Sequence, residues 1–111
     1  MADLRTWLDE VDKLGQLMDV KDAHWDLELS TLTEIINERS KIRPAIVFDK
    51  IKGYPDGYRV AVNLLSSLQR LALTMGMDPG ISEFDFVQQW RRQVKSIQPI
   101  EPRQVKHAPL F

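Results

Sequence analysis

The chain contains no cysteine, which excludes thiolate nucleophiles, disulfide frameworks and cysteine-ligated zinc or iron–sulfur centres. It also lacks an excess of either charge. Fifteen basic against sixteen acidic residues leave a formal charge of −1, so there is no global attraction to a phosphate backbone or an anionic membrane, and nucleic acid is not an expected partner. No segment approaches the roughly 20 apolar residues needed to span a bilayer. The opening MADLRTWLDE places acids where a secretory leader carries positive charge, so the expectation is a chain without membrane association, in the cytoplasm. Histidine occurs twice, as His24 and His107. The two are far apart, with no H-x-x-x-H, H-E-x-x-H or Asp-rich calcium loop, so metal binding is not expected.

What is present is enough for one ordinary domain. The 111 residues are 43% hydrophobic and 28% charged, and a chain of this length buries roughly two-thirds of its unfolded surface without a disulfide or structural metal. From Asp3 to Leu14, Leu4, Trp7, Leu8, Val11 and Leu14 line one helical face, with Asp3 as N-cap and Gly15 as the C-terminal stop. A short strand is expected over Gln16 to Lys21. Asp26 can cap a second helix, ending near Lys41, with a stripe of Leu29, Leu32, Ile35 and Ile36; Glu28, Glu34, Asn37, Glu38 and Arg39 are its solvated side. Ala45-Ile46-Val47-Phe48 reads as a buried strand after Pro44. Lys52 to Gly57 has the composition of a turn, and Tyr58 to Val62 reads as the partner strand of an antiparallel hairpin.

A third helix is expected from Ser66 or Ser67 to Met75, with Leu68, Leu71, Ala72 and Met75 on one side, broken by the segment Gly76 to Gly80. Ser82 and Asp85 form an S-x-x-D capping signal for a fourth helix, whose expected buried stripe is Phe84, Val87, Trp90 and Val94. From Ile97 onward three prolines in fifteen residues replace the helical period, which reads as an extended arm. The expected fold is α+β: a small mixed sheet, about four packed helices and an extended proline-containing C-terminal arm. The division is a domain over 1–96 and a linker or arm over 97–111.

None of the chemistry-bearing residues makes a compelling site. Gly53-Tyr54-Pro55-Asp56-Gly57 lacks phosphate-loop spacing and has no helix directly behind it. Asp9, Glu10 and Asp12 read as a solvated face. Glu34 and Glu38, at i and i+4, could pair as carboxylates but read as surface. Ser66 and Ser67 precede a helix, where capping outweighs a nucleophile without a base. Arg91, Arg92 and Lys95 complement the C-terminal dipole of the fourth helix, with docking of an acidic partner as the alternative. Trp7, Trp25 and Trp90 read as core or hinge packing.

Several segments nevertheless occur in a familiar order. They are Asp3-Leu4-Arg5-x-Trp7-Leu8, Gly15-x-Leu17-x-x-Val20, Asp26 to Leu29, Pro44 to Tyr54, Asn63 to Ser67 and Arg70 to Met77. No one element is specific, but the ordered series resembles the amino-terminal domain of the UbiD-type decarboxylases. A departure is Ser67-Leu68-Gln69-Arg70, where that family more often has a basic run. The resemblance implies a non-catalytic amino-terminal domain or subunit of a carboxy-lyase that decarboxylates an aromatic or unsaturated acid. It implies prenylated FMN, a divalent metal and potassium in the complete enzyme, with none of them in this chain, because no position here matches the family's cofactor or catalytic motifs. The implied partner is a UbiD-like catalytic domain or subunit, in a homo-oligomeric whole enzyme. The alternative is an independent adaptor that keeps the fold and docks a protein through Ile97 to Phe111; a self-contained small-molecule enzyme is a weaker third reading.

Overall fold

In the computed structural model, which describes residues 3–109, the first helix begins where the sequence places it. Helix α1 spans Leu4–Lys13; the Asp3 carboxylate accepts the Thr6 N–H at 2.9 Å and the Thr6 hydroxyl at 3.0 Å. At the other end the Gly15 N–H reaches the Asp12 carbonyl (2.9 Å) and the Gln16 N–H reaches that of Val11 (3.2 Å), a Schellman closure. Gly15 sits at φ +72°, a conformation glycine adopts without steric cost.

The capping bonds also set a pH dependence. The Thr6 N–H, then its hydroxyl, hold the Asp3 carboxyl below its ordinary value of 3.8. A depressed carboxylate contributes stability above its unfolded value, lost as pH falls through the folded one. Asp3→Ala is therefore expected to lower the urea midpoint at neutral pH and to match the wild-type chain well below pH 3.8. An equal difference at both pH values would show that the carboxylate charge is not what caps the helix.

After Gly15 the chain enters β1 (Leu17–Lys21), crosses through α2 (Glu28–Arg39) and returns as β2 (Ala45–Asp49), parallel to β1 with Leu17 opposite Ala45 and Val20 opposite Phe48. A parallel pair needs such a crossover. Strand β3 (Val60–Val62) then pairs antiparallel with β2, with Ile46 opposite Val62 and Phe48 opposite Val60. The order β1-β2-β3 makes a mixed three-stranded sheet with β2 at its centre. The fold is α+β, as the periodicities indicate.

Side-chain alternation divides the work of the two faces. Ile46 and Phe48, both fully buried, join Ala23 and Ile51 in a cluster covered by Val20, Leu29, Leu32, Ile36 and Val62, which is how α2 is held. Each such burial contributes about 1.5–3 kcal/mol. On the opposite face lie Leu17, Ala45 and Val47, with Leu8 of α1 beside them. Helix α3 (Leu68–Thr74) follows, capped by the Ser67 hydroxyl, which accepts the Arg70 N–H at 3.2 Å. Trp7 of α1 donates its indole N–H to the Thr74 hydroxyl at 3.1 Å.

The chain divides after Ile81 into two compact units. The second contains α4 (Glu83–Ser96), whose first turn is capped by the Ser82 hydroxyl accepting the Asp85 N–H at 3.2 Å.

Four expectations are corrected. Asp26 does not cap α2: the N-cap is Leu27, at φ +65° with no side-chain bond, while the Glu28 carboxylate accepts the His24 N–H at 2.7 Å. Ile35 is exposed and Asn37 half-buried, because Asn37 turns to exchange side-chain hydrogen bonds with Asn63. The partner strand starts at Val60, not Tyr58, since pairing with β2 ends at Phe48. The α4 stripe is not buried: Phe84 is 71% exposed, and Val87, Trp90 and Val94 are also open.

Candidate functional site

The loops at the carboxyl ends of β1 and β2 carry a connected aromatic surface. Parallel pairing continues past both strands: the Lys52 N–H donates to the Ala23 carbonyl (2.9 Å) and the Trp25 N–H to that of Lys52 (3.2 Å), with His24 and Lys52 as an isolated bridge. This backbone zipper sets segment 22–25 beside segment 50–54. His24 then stacks on Trp25 with centroids 5.9 Å apart, Trp25 meets Tyr54 edge-on at 6.3 Å, and Tyr54 meets Tyr58 at 6.2 Å. Such geometries are the favoured ones for aromatic pairs.

Gly53 makes the arrangement possible. It lies at φ +94°, and a Cβ there would fall 2.4 Å from Cδ1 of Trp25, so the indole occupies space that any other residue would fill. Trp25 is 51% exposed, and Tyr54 and Tyr58 more so. Aromatic side chains held by each other yet open to solvent are suited to docking, where rigid apolar area is gained at small entropic cost. Trp25 is thus not a core residue, nor is Trp90; Trp7 alone of the three tryptophans is a packing residue, half-buried between α1 and α3.

At the other end of the sheet, where β1 and β2 begin, a buried cation fixes the loops of the first unit. The Arg70 side chain is fully buried. It donates from Nε to the Leu64 carbonyl (3.1 Å), from Nη1 to Gln16 Oε1 (2.9 Å), and from Nη2 to the carbonyls of Arg43 (2.6 Å) and Asn63 (3.0 Å). No carboxylate is among its partners, and burial pushes the guanidinium below its ordinary value. Gln16 Oε1 accepts the Ser67 hydroxyl as well, at 2.8 Å. The planar fork therefore ties together the entries to β1, β2 and α3 and the exit from β3. In the sequence this residue is the lone charge in Leu68–Thr74 and the first of the segment Arg70 to Met77, with no local signal of its burial.

Two open recesses flank the sheet. One, of about 420 Å³, lies beside α1 over Leu8, Val47 and Ala61, with Arg5, Arg59 and Asp3 at its rim; an adjoining hollow adds Asp9 and Asp19. Three carboxylates against two guanidiniums make this an unsuitable anion site. The other, of about 660 Å³, lies between α2 and β3 over Leu29, Val60 and Val62, and brings Glu34, Glu38 and Arg43 to its edge. Both glutamates are exposed.

The remaining candidates are dispersed. His24 Nδ1 accepts the Asp26 N–H at 3.0 Å, and His107 is exposed in the second unit. Glu10 pairs with Lys13 at 3.0 Å on the surface. Ser67 is a cap and Ser66 is exposed. Arg91, Arg92 and Lys95 are exposed on α4. Among the described residues, no three His, Asp or Glu converge as a metal site, and no helix there is long and apolar enough to cross a membrane.

The comparisons agree with this topology. A phenolic acid decarboxylase of Sedimentibacter hydroxybenzoicus is 32% identical over 105 residues, covering 94% of this chain and 21% of that protein. The vanillic acid decarboxylase of the same organism, solved in an open form, superposes with a TM-score of 0.73 at 32% identity over 84% of this chain and 20% of that one. Its closed form gives 0.72 at 32% identity over 96% and 22%. The chain thus spans about a fifth of the length of these relatives. The profile of the 3-octaprenyl-4-hydroxybenzoate carboxy-lyase N-terminal domain matches residues 8–86, and with α1, the β1–α2–β2 crossover, β3 and α3 all within or overlapping that span, the chain belongs to this family of UbiD-type amino-terminal domains.

Proposed function

We propose that this chain serves as the amino-terminal, non-catalytic domain of a carboxy-lyase acting on a phenolic or related aromatic or unsaturated acid. The observation that carries the reading is the family match over residues 8–86, together with decarboxylase relatives about five times as long. Those relatives favour it over an independent adaptor. In this proposal the complete enzyme uses prenylated FMN with a divalent metal and potassium, and is a cytoplasmic homo-oligomer.

The described residues do not fit that cofactor. Its phosphate needs a cradle of backbone N–H groups and its metal a set of carboxylates. Here the glycine-bearing loop is filled at Gly53 by Trp25, and no acidic cluster converges. No chemical step is therefore assigned to this chain. Its role is to brace the catalytic body and help cover the cleft, with the Trp25–Tyr54–Tyr58 surface as the docking face and residues 97–111 as the connection.

The test is native mass spectrometry of this chain mixed with a separately produced prenyl-FMN catalytic body, read together with decarboxylation of a phenolic acid. The expected result is a complex with raised activity. Two folded components that neither associate nor gain activity would favour the adaptor instead. Deletion of residues 1–96 from the complete enzyme without loss of activity or stability would remove the bracing role.

A further inference from the structure

We propose that the free edge of β3 accepts one more strand, an extended segment of another protein with Lys or Arg at alternate positions and apolar residues between them. β3 is the last strand in the order β1-β2-β3 and, among the described residues, pairs with β2 alone. Val60-Ala61-Val62 has neither the proline nor the lysine that blunts such an edge. Its outward N–H and C=O groups are therefore available for main-chain pairing. A recess opens on each face of this strand. Side chains alternate along it, so Val60 and Val62 floor the recess of about 660 Å³ beside α2, while Ala61 floors that of about 420 Å³ beside α1. An added strand would lie about 4.8 Å beyond β3 and send its own side chains alternately toward the two.

The charges of the two recesses identify the occupant. Glu34 and Glu38 edge the α2 recess, and neither is in a salt bridge with Arg43, which lines the same recess, or with any other described cation. The α1 recess has Arg5 and Arg59 at its rim, and its one carboxylate, Asp3, is engaged in capping. Asp19 is on β1, two strands from this edge, with Asp9 in the same hollow. Cations are thus favoured on the α2 side and disfavoured on the other, where Leu8, Val47 and Ala61 offer apolar contact. Spacing agrees with this. α2 returns the chain to the start of β2 and β3 runs antiparallel to β2, so α2 and β3 point the same way. Four residues along a helix advance about 6.0 Å and two along a strand about 6.8 Å, so side chains at i and i+2 of the added strand match Glu34 and Glu38. A lysine stem can lie across Val60 and Val62 while its ammonium reaches a carboxylate. Residues 97–111 of this chain have three prolines and no Lys or Arg pair at that spacing, which points to another protein. The proposal does not depend on the decarboxylase reading.

Isothermal titration of the intact 111-residue chain with the end-capped peptide TKVKVKT tests this. The expected result is saturable one-to-one binding that weakens with salt. The double variant Glu34→Lys, Glu38→Lys should lose about tenfold or more in affinity for this peptide and gain as much for TEVEVET. Asp12→Lys, on the solvated side of α1, should change neither. Methylating alternate backbone nitrogens of TKVKVKT separates main-chain pairing from charge: one alternate set should abolish binding and the other should not. Circular dichroism confirms that each variant is folded. Hydrogen exchange should show the outward amides of residues 60–62 unprotected in the free chain and slowed by the peptide. No binding to TKVKVKT, equal binding of TEVEVET by the unaltered chain, or binding that both methylated sets retain would overturn the proposal. So would outward amides already protected without peptide, which would assign the edge to a second copy if protection rises with concentration and to the chain's own arm if it does not.

Discussion

Replacing Arg70 with methionine is expected to cost about 3–5 kcal/mol of folding stability, since several buried acceptors, at about 1–3 kcal/mol each, lose a donor. Against a total of about 5–15 kcal/mol for a domain of this size, this leaves a substantial unfolded population. The reason is the acceptors that remain, not the lost charge. Methionine matches the aliphatic stem, yet the carbonyls of Arg43, Asn63 and Leu64 and the Gln16 side chain all lose a donor at once. An acceptor stranded without water or a partner costs about 1–3 kcal/mol. Relief of the guanidinium's own desolvation offsets part of this sum. Arg70→Lys is expected to fall between the two, because an ammonium keeps the charge but cannot reach acceptors spread around a planar fork. Urea denaturation of the three proteins measures the series. An Arg70→Met chain within about 1 kcal/mol of wild type would mean that the four contacts contribute only an average hydrogen bond between them.

Gly53→Val is the second large effect, and it separates docking from folding. A β-branched residue at φ +94° is strained by about 1–2 kcal/mol on backbone grounds alone. Its Cβ would also collide with the Trp25 ring at 2.4 Å. Because Trp25 is half-exposed, the indole can swing into solvent, and the expected outcome is a folded chain with its aromatic row dismantled. Tryptophan emission should shift to the red, and binding to a catalytic body should fall by at least tenfold, the scale of an interface hot spot. Trp25→Ala should lose the same binding without the backbone strain. In the double variant the strain persists but the clash does not, so the two stability costs should be less than additive. Gly53→Val with unchanged emission and unchanged binding would show that the row is not a docking face.

Local chemistry was legible in the sequence; occupancy was not. Asp3, Ser67 and Ser82 cap their helices because a side-chain oxygen and an N–H three residues on meet whatever surrounds them. Gly15 ends α1 for an equally local reason. The four apolar residues at 45–48 read as buried and are, since a strand covered on both faces needs no alternation. At α2 the same reasoning failed, because the Glu28 carboxylate turned back to the His24 N–H and the cap passed to Leu27. On α4 the period correctly reported an amphipathic helix, but a period does not say what covers the apolar side. Trp25 illustrates a third case. Its environment depends on a glycine 28 positions later, brought alongside by pairing between β1 and β2. Arg70 is a still longer-range fact, since its partners span residues 16 to 64.

That span has a consequence for how the chain is made. Synthesis proceeds from the amino end, so β1, α2, β2 and β3 all emerge before position 70 does. Until then the carbonyls at 43 and 64 lack the guanidinium donor, and that at 63 has only the Ser66 N–H at 3.4 Å. The sheet can be sampled early but is locked only when α3 arrives, which couples the first and last parts of the unit in one cooperative step. A nascent chain stalled before Arg70 would expose Ile46 and Phe48 to proteases and chaperones, and completion of a single helical turn would withdraw them.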